Sequence, residues 1–363
     1  MHAAVLQVAI IVICGWLATV AARRWGQSAA VGQMLMGLML GPSLLGWVAP
    51  ATFAYLFADA APEPLTWLSR AGLLLLMFQI GLEFDWSHLA KARSQGVALR
   101  VAIAALVGPF AIGLAFGHAT APILSPGIDP LASALFVATA FSITALPILG
   151  RILIELGIQR TELAAVAISA AAAIDVVGWI MLGGVSALVS SATALPPPAV
   201  FLIFAGFAAG VALHHRRRFV DLWDARAASL VSLLVLPLYF TYTGLRTDIG
   251  SLHGIEAWAW CVAVVAVAML GKYGTTYLAA RSAGLAHAQA NALGAMMNTR
   301  GLVELVVLNA GYDLGVISKP MFTMLVLMAV FSTVITTPLL RRWLPKALGM
   351  EVAAIRRDAL IRP

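Results

Sequence analysis

The sequence predicts an all-α, polytopic membrane protein of about eleven transmembrane helices built as an inverted repeat. Three observations lead there. The 363 residues are 61% hydrophobic and only 11% charged, a composition that suits a membrane protein and not a soluble domain. The apolar residues gather in runs of spanning length separated by short polar loops. One short motif also recurs at the ends of two helices that the loop charges place on opposite sides of the bilayer.

The runs fall near residues 3–22, 29–48, 66–82, 97–117, 131–153, 163–188, 197–213, 227–245, 256–279, 288–310 and 321–341. The first is long enough to span and ends at Arg23 and Arg24, so it reads as a membrane helix and not as a cleavable signal. Alternate loops carry Arg23 and Arg24; Lys91, Arg93 and Arg100; Arg151 and Arg160; Arg216, Arg217, Arg218 and Arg226; Arg281; and a basic tail from Arg341. The loops between them are nearly free of cations. By the positive-inside rule the N-terminus is outside, and residues 346–363 form a short basic cytoplasmic tail below a bacterial inner or plasma membrane. The same rule explains the net charge of +7: these cations set topology and touch anionic lipid, which excludes a nucleic-acid surface. Cys14 and Cys261 stand alone in apolar runs, without the spacing of a metal or redox pair. No nucleophile–base set is visible, and His214–His215 read as a solvated loop, so enzyme chemistry is excluded.

The recurring motif is G-L-x-x-D, from Gly81 to Asp85 and from Gly244 to Asp248. Three helices follow each copy, and the second helix of each three is interrupted. In the first copy Ser142, Thr144, Pro147 and Gly150 break the run 140–153; proline removes a backbone donor. In the second, Asn298, Thr299, Arg300 and Gly301 form a polar patch at mid-membrane. Interrupted helices at matching positions of two halves point to a transporter binding site. Four charges sit inside membrane runs. Asp175 lies mid-helix among Ala170, Ala171, Ala172, Ala173 and Gly178. An apolar setting disfavours a bare charge, so this group either only hydrogen-bonds a neighbouring helix or is poised to choose between a proton and a cation, the reading that intramembrane carboxylates favour. Arg300 and Glu304, four residues apart on one helix, can pair directly and serve structure. Lys272 has no partner on its own helix; it either snorkels to an interface or faces the site, competing with a cation or compensating broken-helix ends.

Five stretches carry a family resemblance: VGQMLMGLMLGPSLLG at 31–46, FQIGLEFD at 78–85, FSITALPILGRIL at 141–153, LPLYFTYTGLRTDI at 236–249 and NTRGLVELVVLNAGYDLGVIS at 298–318. The chain is similar over nearly its whole length to the second family of monovalent cation:proton antiporters, especially plant cation/proton exchangers and their bacterial relatives. The resemblance implies an exchanger domain over residues 1–345, with core helices near 97–188 and 256–341. These move against scaffold helices near 3–82 and 197–245, through which such proteins often form homodimers. It implies two crossed broken helices beside Asp175, with Asp175 alternately holding cation and proton. It makes Thr144, and with it Ser142, ligand candidates, gives Lys272 a modulating role, and leaves Pro147, Asn298, Thr299, Arg300 and Glu304 to the breaks. No cofactor is implied beyond the transported Na⁺ or K⁺ and protons, and no transition metal. Two departures stand out: Ile174 precedes Asp175 where relatives often carry a polar residue, and two scaffold helices are missing between Ser190 and Pro198. The alternatives are a shortened, non-transporting membrane scaffold or partner subunit, and a proton-coupled carrier of an organic anion.

Overall fold

The computed structural model describes residues 2–57, 63–83, 95–159, 161–190, 198–228 and 230–361. Helices fill every apolar run. They are α1 (His2–Arg24), α2 (Ala29–Leu40), α3 (Glu63–Glu83), α4 (Gln95–Leu124), α5 (Pro130–Ser142), α6 (Leu146–Glu155), α7 (Glu162–Ser190), α8 (Pro198–Leu213), α9 (Leu236–Arg246), α10 (Gly254–Ser282), α11 (His287–Met297), α12 (Leu302–Asp313) and α13 (Lys319–Ile361). Short helices at Leu45–Val48, Pro50–Phe57 and Arg217–Trp223 join them. Among the described residues, seven segments are long and apolar enough to cross a membrane, counting α5 and α6 as one. No strand occurs among the described residues, as expected where every backbone polar group must be satisfied within hydrocarbon.

Local chemistry sets the helix starts. Ser28 caps α2, its hydroxyl accepting from the Ala30 amide. Asp129 caps α5 through the Leu131 amide, with Pro130 in the first turn, where no intrahelical donor is needed.

The helices sort into two groups by packing. In one, α2 crosses α9 and α3 crosses α8, with α1 against α2 and α9. In the other, α4 packs on α5, α7 and α10, α11 on α10 and α13, and α7 on α5, α6 and α11. Glycines make the first group's crossings. A Cβ at Gly244 would lie 2.8 Å from the Leu38 amide, and one at Gly210 would lie 2.8 Å from Gly81 Cα. Gly206 meets the Leu74 carbonyl at 2.7 Å in the same sense. Small residues let backbones approach where apolar burial gives no net drive between helices. The glycines of the recurring motif, Gly81 and Gly244, are therefore crossing points. Asp85 lies outside the described residues, whereas Asp248 pairs with Lys319 at 3.0 Å.

The order of elements follows the predicted repeat. The sequence α2, α3, α4, broken α5–α6, α7 is matched by α8, α9, α10, broken α11–α12, α13. Before α2 stands α1; before α8, only seven residues separate it from α7, too few for a further membrane-spanning helix.

These crossings give a direct test. Gly244→Val should lower the thermal midpoint of detergent-solubilised protein by several degrees, because two backbones must separate. Gly184→Ala, at a position with nothing within 4 Å, should be neutral or stabilising by about 0.5–1 kcal/mol. Equal midpoints for the two variants would show that the α2–α9 approach is not tight.

Candidate functional site

The site grows from an unfinished helix. α5 stops at Ser142, Ile143 is extended (φ −69°, ψ 142°), and α6 resumes at Leu146 with Pro147 in its first turn. There the missing N–H costs nothing, so Pro147 sits just past the break instead of kinking a continuous helix. The last carbonyls of α5 are left without intrahelical donors, a loss of several kcal/mol per group inside hydrocarbon.

Two cations from the second half of the chain take these carbonyls. The Arg300 guanidinium donates to the Ala140 carbonyl at 2.6 Å and to that of Phe141 at 2.9 Å. Lys272 Nζ donates to the carbonyls of Ser142 and, at 2.8 Å, Ile143. Both side chains are fully buried. Arg300 also pairs with Glu304 at 2.7 Å. These contacts place Lys272 against the broken end of α5.

The second break spans Asn298–Gly301. Gly301 adopts φ 150°, open to a residue without Cβ, and a Cβ there would collide with the Ile148 side chain. The Asn298 amide donates to the Met269 carbonyl at 3.1 Å. Thr333 on α13 donates to the Arg300 carbonyl at 2.7 Å and accepts from the Arg300 amide at 3.1 Å. The breaks are also joined to each other. The Ala145 amide donates to the Thr299 carbonyl at 3.0 Å, and the Thr144 hydroxyl donates to that of Met297 at 3.0 Å.

Asp175 lies on α7, which packs against α5, α6 and α11. It is 3% exposed, and neither carboxylate oxygen has a hydrogen bond of full geometry. The amide of Leu146, in the first turn of α6, and the charge of Lys272 are its interacting neighbours. One turn along, a Cβ at Gly178 would lie 3.1 Å from Ile143 Cγ1, so this glycine lets α7 close on the first break. Two further buried oxygens lack partners at the second break, Asn298 Oδ1 and Thr299 Oγ1.

The structure therefore brings the sequence-predicted residues to one crossing, with some roles changed. The Ser142 hydroxyl donates back to the Ala138 carbonyl at 2.7 Å, so it and Thr144 keep only acceptor lone pairs. Asn298 and Thr299, read from sequence as parts of the break, carry the unpartnered oxygens. Thr333 and Thr336, seated on the second break through Arg300 and the Ala295 carbonyl, are absent from the sequence-predicted set. A run of hydroxyls in an otherwise apolar stretch, STVITT at 332–337, was their signal.

The sodium/hydrogen exchanger transmembrane family matches residues 8–223 and 199–345. The chain belongs to this family of monovalent cation:proton antiporters. It is a multi-pass membrane protein of a family of secondary transporters, not enzymes. It is 31% identical to the Na⁺/H⁺ antiporter NhaS4 of Synechocystis, covering 89% of this chain and 92% of that protein. It is 32% identical to cation/H⁺ antiporter 18 of Arabidopsis thaliana over 92% of this chain, but spans only 48% of that relative. The alignment with NhaS4 runs over 380 residues, more than the 363 of this chain, so the relative carries positions without counterpart here. The fold is similar to that of the sodium proton antiporter MjNhaP1 from Methanocaldococcus jannaschii, with a TM-score of 0.58 at 14% identity over 94% of this chain and 96% of that one.

Arg300→Ala would strand two buried carbonyls and the Glu304 carboxylate together. The expected loss is about 3–5 kcal/mol, seen as failure to recover folded protein or as a large fall in thermal midpoint, with partial recovery in Arg300→Lys. A variant as stable as the unchanged chain would mean that the α5 terminus is satisfied some other way.

Proposed function

We propose that the chain exchanges a monovalent cation, Na⁺ or K⁺, for protons, with Asp175 alternately holding the cation and the proton. One observation carries this reading: a buried carboxylate with neither oxygen held in a hydrogen bond of full geometry stands where two broken helices cross. Formal charge supports it. Lys272 and Arg300 oppose Glu304 and Asp175, so the buried set is balanced when Asp175 is ionised. A proton and a monovalent cation then add the same single charge, and either neutralises Asp175. Asn298 Oδ1, Thr299 Oγ1 and the acceptor lone pairs of Thr144 and Ser142 supply hard oxygen ligands of the kind such cations take. The relatives favour this cargo, since they are named as Na⁺/H⁺, cation/H⁺ and, in Saccharomyces cerevisiae, K⁺/H⁺ antiporters.

Exchange requires two states with the site open to opposite sides. Helices α4–α7 and α10–α13 are the proposed moving core, and α1–α3 with α8 and α9 the scaffold on which any pairing of two copies would form. The loop charges orient the N-terminus outside. No cofactor enters the cycle. The short link between α7 and α8 favours a second reading, a non-transporting partner of a longer homologue.

Proteoliposomes with an inward-acid gradient separate these readings. Na⁺, K⁺ or Li⁺ should dissipate the gradient in the unchanged chain and not in Asp175→Asn; dissipation that survives in Asp175→Asn would remove Asp175 from the mechanism. Silence with every cation, from inserted and folded protein, would favour the partner subunit. Lys272→Ala should alter apparent cation affinity severalfold or move the pH optimum, and a variant with neither change would place Lys272 outside the exchange site.

A further inference from the structure

Contacts between the two helix groups are sparse, and their chemistry is uneven. Four ion pairs occur among the described residues. Two join α9 or the turn after it to the other group, Arg246–Asp313 and Asp248–Lys319, and both lie at one membrane face: the C-terminal ends of α9 and α12 and the start of α13. Arg246 is held on every side there. It donates to Asp313, to Asn309 Oδ1 at 3.0 Å and to the Tyr242 hydroxyl at 3.1 Å. Its guanidinium lies over the rings of Tyr242 and Tyr312, at 5.3 and 4.8 Å. The Asn309 amide in turn donates to the Thr243 hydroxyl at 2.9 Å and to that of Tyr239 at 3.4 Å. Behind this cluster lies a small cavity of about 20 Å³, lined in part by Ser69, Tyr239 and Asn309, and the Ser69 hydroxyl in it is buried without a partner.

The opposite face of the same seam is wider, crossed there by a hydrogen bond from Gln27 Nε2 to the Val334 carbonyl at 3.1 Å. Eighteen residues of α13 separate Lys319 from Thr337, about 27 Å at 1.5 Å per residue. There a wider opening of about 270 Å³ lies between Gln27, Glu155, Thr337, Arg23 and Arg341. No ion pair among the described residues bridges it, and Gln27 Oε1 and Thr337 Oγ1 remain without partners.

We infer that Arg246, Asn309 and Asp313, seconded by Asp248–Lys319, form the gate that shuts one face of the seam between the two helix groups. The inference rests on the exchange reading, in which that seam slides. The pairing fixes Arg246 of α9 to α12, which carries Glu304 and follows the second break, so opening this face requires the guanidinium to let go of α12. The three residues touch no transported ion; they set which face the site sees.

The test reads the cavity behind the gate. In a chain with Cys14→Ser and Cys261→Ser, Ser69→Cys is labelled with a membrane-impermeant maleimide applied from each side in turn. Labelling should be slow, and Arg246→Ala should speed it at least tenfold from one side alone. Should that variant fail to insert, Asp313→Ala frees the same guanidinium and is read in the same way. The exchanged pair Arg246→Asp with Asp313→Arg should return slow labelling, which a merely unfolded seam would not. Arg246→Cys with Asp313→Cys, once oxidised to a disulfide, should stop cation-driven proton flux, and reduction should restore it. Labelling indifferent to both single substitutions, or speeded equally from both sides, would overturn the gate. Asp175→Asn is run alongside. If it still exchanges, the ion-site reading fails while the labelling contrast still decides the gate; if it does not and labelling shows no contrast, the gate fails alone.

Discussion

Four backbone carbonyls at the end of α5, residues 140–143, are held by just two side chains, Arg300 and Lys272, and both come from the other half of the chain. Everything at the crossing follows from that arrangement. Hydrocarbon tolerates an interrupted helix only if the freed groups find partners. Cations suit carbonyls at a helix C-terminus, where partial negative charge collects. Once two positive charges are buried, two negative ones must be nearby. Glu304 takes one share of the balance in direct contact with Arg300. Asp175 supplies the other without being captured by a full hydrogen bond. The carboxylate of α7 thus stands beside the helix end that the two cations hold.

The two helix groups are held by different physics. Within the first, glycine-lined crossings bring backbones nearly into contact, and such packing has one geometry. Between the groups, contacts are few and, at one face, largely polar. Hydrogen bonds and ion pairs can be exchanged for others at modest cost as surfaces slide, whereas interdigitated backbones cannot. A tightly packed first group beside a weakly joined seam suits the exchange cycle proposed above, in which that seam slides.

Much of this was legible in the sequence. Apolar runs mark helices wherever the bilayer is the solvent, and a glycine, proline or asparagine inside one stands out. The breaks at Pro147 and Asn298 were visible for that reason, and Asp175 because a lone carboxylate in an alanine-rich run has few innocent explanations. What sequence could not supply was partnership across the chain. Lys272 could have snorkelled; only its placement against the α5 terminus assigns it to carbonyls 130 residues away. The Ser142 hydroxyl could have faced an ion but turns to its own helix. The clasp of Arg246 on Asp313 was equally hidden, because both residues look like ordinary loop charges near helix ends.

The distances along the chain between the α5 carbonyls and their cations have a bearing on synthesis. Lys272 and Arg300 follow their acceptors by about 130 to 160 residues. At a translation rate of 5–20 residues per second, roughly 7–30 seconds pass before the second half can supply them. During that interval the first half sits in the membrane with its central helix uncapped. It cannot reach its final form and must wait, loosely assembled and dependent on water or the insertion machinery, until its inverted counterpart arrives.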